Sequence, residues 1–161
     1  MIRALLIDSQ GVATAGGEEL VQRFREMPDA HLWVDLQGEP RERERALLEA
    51  FGCHPMAIDD AHRDRHPPKI EEFEEHTLVL YRGIAAFDAE LNFVPQQVAF
   101  FIAERYLISL HPGPARSIDR LFGNGGVELL RRSPEQVALK AMFHSAGFYL
   151  DSLLEFENQL S

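Results

Sequence analysis

The chain alternates between short apolar runs and charged, helically periodic segments. Ile2 to Ile7 is an apolar run bounded by Asp8-Ser9-Gln10-Gly11, which reads as a buried or edge strand followed by a turn. His31 to Leu36 alternates, with Leu32, Val34 and Leu36 on one face, the pattern of a strand. Lys69 to Phe73 alternates apolar and charged residues and reads as a short strand. Thr77 to Ile84 is β-branched and aliphatic. Gln97 to Ala103 and Tyr106 to His111 are separated only by Glu104-Arg105, which is hairpin spacing.

Helical segments lie between and after these runs. Glu18 to Phe24 follows Gly16-Gly17, carries acids in its first turn and stops at Pro28-Asp29. Pro40 opens a helix over Arg41 to Phe51, with Leu47, Leu48 and Phe51 as its apolar stripe and Gly52 placed for a left-handed cap. Pro55 starts a short helix through Ala61, and Pro67-Pro68 ends any helix by His66. Arg116 to Phe122 reads as a short helix, and Gly123-Asn124-Gly125-Gly126 as a flexible break. Ser133-Pro134-Glu135-Gln136 combines an N-cap Ser, a first-turn Pro and a capping-box Gln. From Val137 and Ala141 through Phe148 to Leu160 the apolar spacing stays helical, and no stop signal closes it. That pattern predicts a division into a domain at 1–132 and the start of a long helix at 133–161, the front part of a longer protein.

Composition narrows the function classes. At 161 residues with 45% hydrophobic side chains, the chain is long enough for one self-sufficient core. Its formal charge of −10 repels nucleic acid and anionic lipid and favours cationic partners or divalent cations. The single Cys53 excludes a disulfide framework and a Cys-rich zinc module and fits a reducing, cytoplasmic setting. No apolar run is long enough to cross a bilayer.

Residues 54–76 concentrate the candidate chemistry, with His54, His62, His66 and His76 around the adjacent Asp59-Asp60 and a Pro67-Pro68-Lys69 elbow. Neighbouring residues on a helix point about 100° apart, so Asp59 and Asp60 do not clamp one ion alone. Each can offer oxygens to a hard cation whose other ligands come from another segment or subunit; the alternative is a pair of solvated acids. His62 and His66, four apart with His54 and Asp60 nearby, have the spacing of a zinc site. Flanking Arg63 and Arg65 and the following Pro67 favour structural or surface histidines instead. Nucleophilic catalysis lacks support, because Ser9, Ser109 and Ser117 have no patterned base and Cys53 reads as a small apolar residue after a helix cap. No catalytic residue is assigned.

The string His54-Pro55-Met56-Ala57-Ile58-Asp59-Asp60 resembles the His-Pro-Leu-Ala-x-Glu-Asp signature of CorA-type divalent-cation transporters. Upstream, Trp33-Val34-Asp35-Leu36 is similar to that family's Trp-Ile-Asp-Leu strand. Downstream, Pro68-Lys69-Ile70-Glu71 followed by Phe73 resembles Arg-Pro-Lys-x-Glu-x-Tyr/Phe, and Gln97-Val98-Ala99-Phe100 resembles Glu-Gln-Val-Ser. Tyr106 to His111 resembles the strand ending in Val-His. The matches run in order over nearly the whole chain.

The resemblance implies an α/β fold, a mixed central sheet flanked by helices (an αβα sandwich) that feeds a stalk helix. It implies the regulatory, non-enzymatic cytoplasmic domain of an Mg2+ or Co2+ transporter, on the cytoplasmic side of the inner membrane. The implied partners are a homopentamer and the chain's own transmembrane part. By position, Asp59 and Asp60 would bind a regulatory divalent cation between subunits. Three departures stand out. The Gly-Met-Asn pore signature is absent, His66-Pro67 replaces Gln-Arg, and Met142 to Tyr149 lacks the family's acids. The last leaves room for a zinc-transporting relative of the same superfamily. A free-standing metal-dependent enzyme built on the His/Asp cluster at 54–66 is the other alternative.

Overall fold

The computed structural model describes residues 1–87 and 93–146. Seven strands form one sheet: β1 (Ile2–Ile7), β2 (Ala13–Gly16), β3 (His31–Gln37), β4 (Lys69–Glu72), β5 (Thr77–Phe87), β6 (Phe93–Ile102) and β7 (Tyr106–His111). Their order is β2-β1-β3-β7-β6-β5-β4. Among the described residues only β3 and β7 pair in parallel, with Leu32 opposite Tyr106 and Gln37 opposite His111; every other pairing there is antiparallel.

The two faces of the sheet carry separate cores, as alternation along the strands requires. On one face Leu32, Val34 and Leu36 meet α1 (Glu19–Arg25), α2 (Arg41–Ala50) and α3 (Pro55–Ala61) through Leu20, Phe24, Leu48 and Ile58. On the other, Trp33, Phe100 and Leu107 meet α4 (Arg116–Gly123), α5 (Gly126–Arg132) and α6 (residues 134–146) through Ile118, Leu121, Leu130, Val137 and Ala141. The chain is therefore the expected αβα sandwich. Trp33 is fully buried and stacks on Phe122 at 4.0 Å. Withdrawing roughly 200 Å2 of such a ring from water contributes about 5 kcal/mol.

The strands and helices read from periodicity are present, with Gly52 in the left-handed cap at φ 80°. The Ser133 hydroxyl caps α6 by accepting from the Gln136 N–H at 3.3 Å. Two elements were not anticipated. β2 is short and only half-buried, so its periodicity is weak; it forms because Asp8 accepts the Gln10 and Val12 N–H groups, both at 2.9 Å, and turns the chain back on β1. The glycine run is not a flexible break. Gly123 ends α4, and Gly125, at φ 93°, leads directly into α5. A side chain at Gly126 would strike the Leu121 carbonyl and approach the Trp33 ring to 3.3 Å, so close packing selects glycine there.

Along α6, Val137, Ala138 and Ala141 are fully buried, while Leu139 and Phe143 are exposed. Phe148 to Leu160, the later part of the expected stalk, lie outside the described residues. Among the described residues no helix is long and apolar enough to cross a membrane.

Candidate functional site

The 54–76 segment is folded around local hydrogen bonds. Pro55 occupies the first turn of α3, and His54 Nδ1 accepts the Met56 N–H at 3.1 Å, so an imidazole serves as the N-cap. The His54 ring stacks on Phe73 at 4.7 Å, and Phe73 stacks on His76 at 5.0 Å. His76 Nε2 in turn accepts the His54 N–H at 2.9 Å. That role needs a neutral ring. Burial, followed by the neighbouring His54, holds His76 below the usual imidazole range.

The two aspartates have different surroundings. Asp59 is 61% exposed and meets Arg45 of α2 at 2.5 Å. The Asp60 side chain is 15% exposed and meets Lys69 Nζ at 2.5 Å, with His66 Nε2 at 3.6 Å. Lys69 also meets Glu71 at 2.6 Å, which ties the end of α3 to β4. The Lys69 hydrogen bond holds the Asp60 carboxyl below its ordinary value, and Asp60 and Glu71 push the Lys69 ammonium up.

The histidines proposed for a zinc site are not brought together. His54 caps α3, His62 Nε2 pairs with the buried Glu44 at 3.0 Å, and His66 Nδ1 donates to its own neighbour, the Pro67 carbonyl, at 2.8 Å. Among the described residues no group of three His, Cys, Asp or Glu side chains can hold one metal ion. Asp59 and Asp60 therefore do not complete a cation site by themselves among the described residues.

Gln97, noted as a motif residue on β6, holds the loop after α3. Its Nε2 donates to the Ala61 and Arg63 carbonyls at 3.1 and 3.0 Å, and its Oε1 accepts the His66 N–H at 2.9 Å. Its neighbour Val98 is buried in the second core, and Pro68 precedes β4 at the elbow.

A buried network around Asp35 was not foreseen. Asp35 is fully buried on β3. Its carboxylate accepts from Arg3 Nε at 2.9 Å, the Ser109 hydroxyl at 2.6 Å and His111 Nε2 at 2.7 Å. His111 Nδ1 donates to the Gly113 carbonyl at 2.6 Å. With acceptors on both nitrogens, His111 is an imidazolium. Burial pulls its pKa down, but the Asp35 hydrogen bond and charge outweigh that, and the net direction is up. Trp33 Nε1 donates to Ser109 at 2.9 Å, and Arg3 reaches Asp119 of α4 at 2.6 Å. The network joins β1, β3, β7 and α4. Asp35 on an otherwise apolar strand was the one signal of it in the sequence.

Comparison with known proteins places this geometry in a family. The model of the CorA-like Mg2+ transporter protein family matches residues 28–160. The candidate metal ion transporter YfjQ of Bacillus subtilis is 26% identical over 142 residues, covering 84% of this chain and 42% of that protein. The soluble domain of CorA from Methanocaldococcus jannaschii superposes with a TM-score of 0.74 at 16% identity, over 98% of this chain and 61% of that one. The ZntB cytoplasmic domain from Vibrio parahaemolyticus superposes with a TM-score of 0.68 at 16% identity, over 99% of this chain and 64% of that one. The chain thus spans less than two thirds of each of these relatives. Because the family match runs from the turn before β3, through the Asp35 strand and the His54-to-Glu71 segment, into the last helix, the chain belongs to the CorA-like Mg2+ transporter protein family.

Proposed function

We propose that this chain is the regulatory cytoplasmic part of a CorA-like transporter for Mg2+ or Co2+, and that it senses the cation at contacts between subunits. In this reading residues 1–132 form the sensing domain and 133–161 begin a stalk toward a transmembrane part, within a homopentamer. The observation that carries it is Asp59, a carboxylate 61% exposed on α3 while its neighbour Asp60 is committed to Lys69. Hard cations take six or more oxygens, so Asp59 supplies one ligand and waters and a second subunit supply the others. Arg45, 2.5 Å from Asp59, competes with the cation and keeps affinity low enough for release when the ion becomes scarce. A cation that bridges two carboxylate-bearing chains binds the assembled state and so shifts the population toward it.

Sedimentation of the full-length transporter with and without Mg2+ tests this. Wild type gains assembly and thermal stability with Mg2+, and Asp59→Asn loses both responses. An unchanged Mg2+ response in Asp59→Asn removes Asp59 from the site. The second reading, a zinc-moving relative, is favoured by Met142, Phe143 and His144 in α6 where the resemblance leads one to expect acids. Flux measured with Zn2+ against Mg2+ in vesicles separates the two.

A further inference from the structure

Among the described residues β3 and β7 are the one parallel pair in the sheet, and the chain leaves their carboxyl ends toward opposite faces. After Gln37 it enters α2, whose Leu47 and Leu48 pack on the first core. After His111 it enters α4, whose Ile118 and Leu121 pack on the second. Where connections diverge in this way a crevice opens beyond the strand ends, and α/β sheets place ligands there. Here it is a cleft of about 400 Å3, lined by residues that include Gly38, Arg41, Arg63, Arg65, Arg82 and His111. Small-molecule pockets measure about 300–1,000 Å3.

The charge of this cleft runs against that of the chain. The whole carries −10, yet four arginines converge here. The three carboxylates on the walls are already engaged: Glu44 with His62 at 3.0 Å, Asp64 with Arg41 at 3.0 Å, and Glu39 with the terminal amine at 2.9 Å. Among the described residues Arg65 and Arg82 have no ion-pair partner, and Arg63 reaches Asp60 only at 3.9 Å. Arg65 and Arg82 are exposed, so their guanidinium groups are free to meet a ligand that enters the cleft. The loop that carries Arg63 and Arg65 is preorganised by the three Gln97 hydrogen bonds, and Gln97 lies opposite Arg82 in the β5–β6 ladder. Arg65 is also the one non-glycine among the described residues with positive φ, at 59°, a backbone state that a clamped loop can maintain.

We infer that this cleft binds a small anion bearing a di- or triphosphate group, with Arg65 and Arg82 as its principal ligands and Arg63 adding charge. A guanidinium fork matches phosphate oxygens in pairs, and two forks on different elements suit a phosphate chain better than a single phosphate. The site is independent of Asp59 and of the cation reading.

The test is calorimetry of the 161-residue chain with sodium pyrophosphate and, separately, with ATP, both without divalent cation. Saturable binding is expected. Arg65→Gln or Arg82→Gln should weaken it about tenfold each and the double variant should abolish it, since each removes a charge-assisted contact. Arg23→Gln, an equal charge change on exposed α1, should leave affinity unchanged. Melting curves matching wild type assign any loss to the contact rather than to folding. ATP binding tenfold tighter than pyrophosphate identifies a nucleotide site, and equal affinities identify the phosphate chain alone; both support the cleft. No saturable binding of either ligand, or equal weakening by Arg23→Gln, overturns it.

Discussion

Asp35 and Asp59 are both carboxylates facing arginine, and they sit in opposite physical regimes. Asp35 is fully buried, accepts from three side chains, and belongs to a network that spans three strands and α4. Asp59 is 61% exposed and meets Arg45 directly at 2.5 Å in contact with solvent. A buried charge is tolerable only when every lone pair is used, which fixes one arrangement of its neighbours. An exposed pair is screened and exchanges partners readily. The comparison teaches that Asp59, from the conspicuous aspartate pair, is the adjustable carboxylate of this domain, and that the inconspicuous Asp35 is the rigid one.

The largest expected effect lies on the rigid side. Asp35→Ala leaves the His111 imidazolium and Arg3 without their shared acceptor, and it should cost about 3–5 kcal/mol in urea unfolding. A smaller loss would mean that the network rearranges as freely as a surface pair. Gly126→Ala forces a methyl group against the Leu121 carbonyl beneath Trp33 and should cost about 1–3 kcal/mol.

The pH response divides the two regions by sign. The folded pKa of His111 lies above 6.5, so its stabilisation is complete below pH 6.5 and is lost as pH rises through the folded value. His76, under α3, has a folded pKa below 6.5, so stability associated with it is complete above pH 6.5 and falls as pH drops toward the folded value. Urea midpoints measured across this range should lose their alkaline slope in His111→Gln and their acid slope in His76→Gln.

Smaller still is Lys69→Gln, which releases Asp60 and should cost about 1 kcal/mol or less because the pair is near the surface. Asp59→Asn should leave the urea midpoint unchanged while removing the Mg2+ response. A large loss of stability in Asp59→Asn would place it with Asp35 and collapse the distinction.

Much of the architecture was readable from spacing. Leu32, Val34 and Leu36 lie on one buried face, and Leu47 and Leu48 meet them from α2. β2 escaped notice because four half-exposed residues carry little periodicity. α5 escaped because Gly123 to Gly126 has the composition of a loop, whereas the reason for glycine there is contact with Leu121 and Trp33. The histidines at 54, 62 and 66 invited a metal site on spacing alone. The fold sends His62 to Glu44 of α2, while His54 and His66 turn to their own chain neighbours Met56 and Pro67.

The sequence by itself determined every strand but β2, most helices, the chemical character of residues 54–76, and the family resemblance that the comparisons bear out. Those properties depend on residue type and short spacing, which are local. Tertiary structure alone decided that Asp35 meets Arg3 and His111, that Lys69 takes Asp60 and leaves Asp59 exposed, and that arginines from three segments share one cleft. Electrostatics at these distances depends on which side chains face each other through low dielectric. Partners 32 and 76 positions apart become neighbours only when the sheet closes.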